Sequence, residues 1–336
     1  MSLCYLLAFP CEEAPQHSPV ERIKGLKDAP YFQPVDIQVR SLGQTPLVVE
    51  GIPITIHTQV YDERVQVMEC HFDLAAPLSL ASIQHRNQIE TALREQLVPA
   101  SVQASGLYEE YSILLLAQVD GTPDEFIDHH AQDLARFVRS QREIFGPTEI
   151  EDILISRVRY SEEEMTLVDW EAAILISPSG DFQSDIELLK IGNYQLLRYR
   201  LLSQTIEENL QDINTSFFKG RRMTVLPGPT RRALHRIIHH RLELILDFEH
   251  TEQNLLLIGD WYSAKLYRTI LDEFYLDDWK LAVRSQLDNL ENIVTTIQEN
   301  FAFSWKGFLD NVELTGWLIL LLGYFILFFI EVRLTP

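Results

Sequence analysis

Cysteine is scarce in this sequence: Cys4, Cys11 and Cys70 are the only three, and no two stand at CxxC spacing. That excludes a cysteine metal knuckle, a dithiol redox motif and a disulfide framework, and the three read as incidental thiols of a reducing compartment. Basic residues are few as well, 28 Lys and Arg against 49 Asp and Glu, for a net charge of −21. Such a surface repels nucleic acid and anionic lipid unless its cations are concentrated somewhere. No lysine or arginine precedes the apolar stretch Ser2–Phe9, and Pro10 and acidic residues follow it. A secretory signal or transit peptide is therefore not expected there, and a short buried strand is. GxxxxGKS or GxxxxGKT, GxSxG, HExxH and GxGxxG are all missing, which removes the common sequence routes to nucleotide binding and hydrolysis. No catalytic, cofactor-binding or metal-ligating residue is expected, and no cofactor.

What the chain does have is one long uncharged run. Leu314 to Ile330 is 17 residues without a charge, bounded by Glu313 and Glu331. At ~1.5 Å per residue it extends about 26 Å, and Val312 and Val332 lengthen it. The run predicts a transmembrane helix over 312–332, anchored by Trp317, Leu320, Gly323, Phe325 and Phe328, with membrane lipid as its surroundings. A buried core helix is the alternative, opposed by the length, aromatic content and uniform apolarity. Everything before the run would lie in the cytoplasm, giving a single-pass, tail-anchored protein.

The fold class expected is α+β, and the chain reads in four parts. Residues 1–45 hold several prolines and few periodic signals and are expected to be mostly irregular. Residues 46–180 read as an α+β domain. Ile52, Ile54, Ile56 and Thr58 alternate, a turn follows at Tyr61-Asp62-Glu63, and Val65 to Phe72 continues as a second strand. A helix fits 82–97, and Tyr111–Val119, apolar on both sides, predicts a central strand. Thr122-Pro123-Asp124-Glu125 is a helix start with its cap, first-turn proline and returning glutamate. Strands are expected again over 152–159 and 166–177. The sum is a mainly antiparallel sheet with two covering helices.

Past Gly180 the pattern becomes helical, and residues 181–303 read as an all-α bundle or coiled-coil region. Ser184-Asp185-Ile186-Glu187 has the form of a capping box. Val283, Leu287, Leu290, Val294 and Ile297 alternate spacings of four and three, as in a bundle face within one chain or a seam between chains.

One short stretch reverses the charge. Lys219, Arg221, Arg222, Arg231, Arg232, Arg236 and Arg241 fall in 23 residues without an acid, while the other 313 residues carry 21 basic and 49 acidic. Pairing with the acids that follow, such as Glu243 and Asp247, is the plain reading; a surface for RNA, ribosome or anionic lipid is the functional one. Stacking aromatics are missing from the stretch, which disfavours nucleic acid. His235, His239 and Glu243 share a helical face, but Arg236 stands where a zincin has its glutamate, so no metal is assigned.

Asn193-Tyr194-Gln195-Leu196-Leu197, then Gly259-Asp260-Trp261-Tyr262-Ser263-Ala264-Lys265-Leu266-Tyr267, then Trp279, a coiled segment and an apolar terminus resemble the bacterial relatives of the "required for meiotic nuclear division" family. The resemblance implies a self-associating module tethered to the bacterial inner membrane, near the translation machinery, and it carries over no catalytic residue. The function expected is that of a homo-oligomeric scaffold presenting a cytoplasmic α+β domain to a protein partner. The alternative is a tether using the basic stretch 219–241.

Overall fold

The structure, a computed structural model, describes residues 2–11, 20–22, 37–213, 215, 242–246, 248–249 and 261–334, with side chains at all of these except 20–22, 297–312 and 328–334. The strands are β1 (Ser2–Pro10), β2 (Val20–Arg22), β3 (Gln38–Val49), β4 (Ile52–Tyr61), β5 (Val65–Asp73), β6 (Glu109–Leu116), β7 (Arg157–Arg159), β8 (Met165–Val168) and β9 (Ala172–Ile176). The helices are α1 (Leu80–Leu97), α2 (Ala100–Ser105), α3 (Pro123–His129), α4 (Ala131–Val138), α5 (Pro147–Ile153), α6 (Gln183–Ile213), α7 (Trp261–Glu273) and α8 (Leu276–Leu334). The chain divides into two compact units, Met1–Thr205 with Leu246–Arg284, and Ile206–Ile245 with Ser285–Pro336.

In the first unit the nine strands form one sheet in the order β2-β3-β4-β5-β1-β6-β9-β8-β7. Leu3 to Phe9 are all buried, as a strand apolar on both faces must be, and β1 accordingly lies between β5 and β6, antiparallel to both. On one face Leu3, Tyr5, Leu7 and Phe9 join Ile56, Cys70, Leu114 and Ile174. Ile89 and Leu93 of α1, Phe126 of α3, Phe137 of α4 and Ile153 of α5 close that core. The other face meets α6, and α7 packs over β7 and β8.

The turn between β4 and β5 puts Asp62 and Glu63 at φ of 49° and 57°. That left-handed turn matches the twist of a hairpin but is costly for residues with a Cβ. Side-chain ties offset the cost. Asp62 accepts from the Gln38 N–H at 2.9 Å and from the Tyr194 hydroxyl at 2.6 Å, and Glu63 pairs with Arg40.

Several elements differ from the sequence expectation for identifiable reasons. β3 shows no alternation because most of its side chains are exposed and its register shifts between Ser41 and Gly43. The stretch expected as a strand over 152–159 finishes α5, whose Pro147 suits a helix start, before β7 begins. Residues 166–177 are two strands, turned where the Asp169 N–H donates to the Ala172 carbonyl at 3.0 Å. The Thr122–Glu125 capping box is formed, and its helix divides at His130 into α3 and α4. The helix expected to start at Ser184 begins at Gln183, and Asp185 accepts from Thr166 at 2.5 Å and Tyr262 at 2.7 Å, binding α6 to β8 and α7.

Gly192 lies where α6 meets α7. A Cβ there would stand 2.5 Å from Ile270 Cγ2 and 3.1 Å from the Phe274 ring. Glycine inside a helix costs about 1 kcal/mol, so the position is held by backbone contact. Gly192→Ala is expected to lose about 1–3 kcal/mol in urea unfolding despite its better helix propensity. A stabilised variant would show that the crossing tolerates a methyl group.

In the second unit Ile206, Ile213, Leu244, Leu287, Leu290 and Val294 are buried. Val283, also buried, belongs to the first unit, and the Ile297 side chain lies outside the described residues.

The fold is α+β and its sheet mainly antiparallel, as expected, but two parts of that expectation are corrected. The sheet holds one parallel pair, β6 and β9, joined across a long crossover through α3, α4 and α5 and the β7–β8 hairpin. More than two helices cover it, on both faces. Among the described residues no helix is long and apolar enough to cross a membrane. The transmembrane helix over 312–332, the anchor at Trp317, Leu320, Gly323 and Phe325, the tail-anchored orientation and the inner-membrane localisation are corrected on that finding. Phe328 lies outside the described side chains.

Candidate functional site

A cavity of about 620 Å³ opens in the first unit where β6 and β9 enter the sheet. Two acidic residues start β6, Glu109 and Glu110, and the tight turn before β9 supplies Trp170 and Glu171. Asn87, Glu90 and Arg94 come from one face of α1, spaced three and four apart, and Asn193, Leu196 and Arg200 come from α6 in the same rhythm. Both helices thus lay one stripe along the cavity.

Its arginines are already engaged. Arg94 reaches both carboxylate oxygens of Glu110 at 3.2 Å, and Glu110 also accepts from the Tyr5 hydroxyl at 2.5 Å. Arg200 pairs with Glu109 and donates to the carbonyls of Gly106 at 2.8 Å and Tyr108 at 3.2 Å. Burial nevertheless pushes the Glu109 carboxyl up to about 7, against the pull of Arg200. Glu90 accepts from Ser112 at 2.6 Å, and burial raises its carboxyl as well. Beneath the cavity Asp169 pairs with Arg139 at 2.9 Å, and burial lifts it to about 6. A pocket whose carboxyls are raised by burial is where proton transfer or cation binding is expected.

A second polar cluster is buried between α6 and the sheet. Lys190, 1% exposed, donates to Gln59 at 2.8 Å, Glu69 at 2.9 Å and Glu187 at 2.6 Å. His71 lies 2.5 Å from the other oxygen of Glu69. Burial works to raise the Glu69 carboxyl, but the His71 hydrogen bond and the Lys190 charge outweigh it and hold the group at about 2. Cys4, Glu69 and His71 bring possible ligand atoms within 4.8 Å of one another. They suit a divalent ion poorly, because the Lys190 ammonium occupies the carboxylate and burial, then Glu69, raises the thiol well above its usual range. The cluster reads as an internal ion network that fastens α6 to β4 and β5.

The sequence-expected residues fall elsewhere. Lys219, Arg221, Arg222, Arg231, Arg232, Arg236 and Arg241, with His235 and His239, lie outside the described residues. Asp260 of the Gly259–Tyr267 motif lies outside them too. None of the cavity's carboxylates was singled out from the sequence. The available signal was Glu109-Glu110 opening a strand that is otherwise apolar, and arginines set in the apolar face of α6.

Fold and cavity together define an α+β protein with a mixed nine-stranded sheet and a polar pocket where its interior strands β6 and β9 begin. The chain belongs to the family described as "Uncharacterized protein MJ0711, N-terminal domain", whose model matches residues 11–183. It is 23% identical over 198 residues to "Uncharacterized protein MJ0711" of Methanocaldococcus jannaschii, covering 59% of this chain and 60% of that protein. No solved structure matches. The comparisons support this family and give no support to the resemblance to the "required for meiotic nuclear division" family, which rested on short motifs beyond residue 183.

Proposed function

We propose that the protein is a self-associating scaffold that gathers copies of its α+β unit through the apolar end of α8. One observation carries this reading: in the single chain Leu314, Trp317 to Leu322 and Tyr324 to Leu327 are 54–77% exposed. An apolar surface of that extent, bare on every side of a helix, marks an association site. Gly316 and Gly323, one heptad apart, put open space on one face of that helix and let a second backbone approach. The net charge of −21 keeps copies apart elsewhere, which confines contact to this uncharged stretch. Leu287, Leu290 and Val294 are buried within the chain, so the interface is assigned to 314–327 and not to them. Gathered copies would present several α+β units at once to a protein partner, and avidity would follow from their number.

The test is the Leu318→Asp/Leu322→Asp double variant. Light scattering should give 38.9 kDa for it and a multiple of that mass for the parent. An assembly that survives both aspartates would sink the assignment of the interface.

A further inference from the structure

The cavity at the start of β6 and β9 has an uneven supply of hydrogen-bonding groups. Four glutamates line it, Glu90, Glu109, Glu110 and Glu171, and two arginines. Arg94 is spent on Glu110, and Arg200 on Glu109 and two carbonyls. Arg86 lies 3.6 Å from Glu90 but directs its N–H groups to the Phe137 carbonyl, Asn87 and Ser140. Glu171 has no ion pair among the described residues; Arg139 and Arg86 act on it from farther off, and both are committed elsewhere, Arg139 to Asp169 and Arg86 to the Phe137 carbonyl, Asn87 and Ser140.

A second, independent feature points the same way. Asn193 is 96% buried, from a 4% exposure, and shares its helical stripe with Leu196 and Arg200, which also line the cavity. Its Nδ2 donates to the Leu189 carbonyl at 2.9 Å, while its Oδ1 accepts from no described residue. That oxygen is left to accept from a ligand or water in the cavity. Apolar surface is also at hand, since Trp170, 39% exposed, stacks edge-on against Phe274, and Tyr108 lines the same space. The volume, about 620 Å³, is that of a small-molecule site.

We infer that this cavity binds a small organic cation, an amine or guanidine, whose N–H groups are received by Glu171, Glu90 and Asn193 Oδ1. The apolar part of the ligand lies along Trp170, where an aromatic face also attracts the charge. Vacant capacity here is for donors: the acceptors are open and the cations are committed, so an anionic ligand finds no free partner. Burial already holds Glu90 above the ordinary carboxylate range, and the ligand supplies the compensating charge. The inference stands apart from self-association, which uses the other end of the chain.

Calorimetry on the full-length protein tests it with tyramine, putrescine and agmatine, beside 4-ethylphenol, which keeps the ring of tyramine without its amine. Saturable binding of at least one cation is expected, weakened about tenfold or more in Glu171→Gln, with no binding of 4-ethylphenol. Glu171 is exposed and makes no side-chain bond among the described residues, so the variant is expected to fold, and an unchanged melting temperature checks that. Binding of none of the three cations, affinity unchanged in Glu171→Gln, or equal binding of 4-ethylphenol would each overturn the inference.

Discussion

Lys190→Met is expected to lower folding stability by about 3–5 kcal/mol in urea unfolding at pH 7. Methionine keeps most of the side-chain volume, so the loss comes from charge. Glu69 is 4% exposed, and without the ammonium it keeps His71 while Glu187 keeps the Gln183 amide and the Tyr61 hydroxyl, all lesser partners. A carboxylate left buried without its counter-ion costs more than the intact pair contributed. Adding Glu69→Gln to Lys190→Met should recover part of the loss, since the second substitution removes the stranded charge.

The pH dependence follows from the same group. The folded carboxyl of Glu69 sits at about 2, below its ordinary value of 4.5. Its contribution is therefore present above pH 4.5 and lost as pH falls through about 2. In Lys190→Met burial acts with less opposition and raises that carboxyl, so the variant's deficit narrows on acidification. A deficit under about 1 kcal/mol at pH 7 would mean that the network is solvated and does not hold α6.

Arg86→Met carries a similar expected cost, about 3–5 kcal/mol. The guanidinium is 1% exposed, donates to the Phe137 carbonyl at 2.9 Å and to Asn87 at 3.0 and 3.2 Å, and reaches Ser140. It lies 4.3 Å from the centre of the Phe137 ring. Ser140, at φ 51°, is one of the strained positions that these bonds hold in place. The variant strands a buried carbonyl and takes the nearest cation from Glu90, so the end of α4 should lose amide protection first. Arg86→Lys should not restore it, because one ammonium cannot reproduce the fork. Hydrogen exchange at residues 137–140, with thermal unfolding, gives both readouts. Unaltered protection there would contradict the role assigned to Arg86.

Much of the first unit is written in apolar runs. Leu3 to Phe9 and Tyr111 to Leu116 are unbroken enough to mark central strands, and Thr122 and Glu125 mark a helix start that the structure forms. β3 carries no such signal because its side chains face solvent, and the parallel pairing of β6 with β9 depends on a crossover that no local pattern encodes. The cavity was hidden for a related reason. Glu90, Glu109 and Glu171 are ordinary acids in a sequence with 49, and only the meeting of α1, β6 and the β9 turn makes them neighbours. Lys190, amid Leu188, Leu189 and Ile191, was the legible clue that a buried network existed, although not which acids completed it. The apolar run after Glu313 was plain in the sequence, but what covers an apolar helix is decided by its surroundings. Hydropathy alone assigned it to lipid.

Sedimentation equilibrium of the full chain across a wide concentration range, in buffer and in mild non-ionic detergent, tests the central claim most directly. A scaffold gives a protein mass that is a fixed multiple of 38.9 kDa in both, falling only at the lowest concentrations. A mass of one chain throughout would contradict self-association through α8.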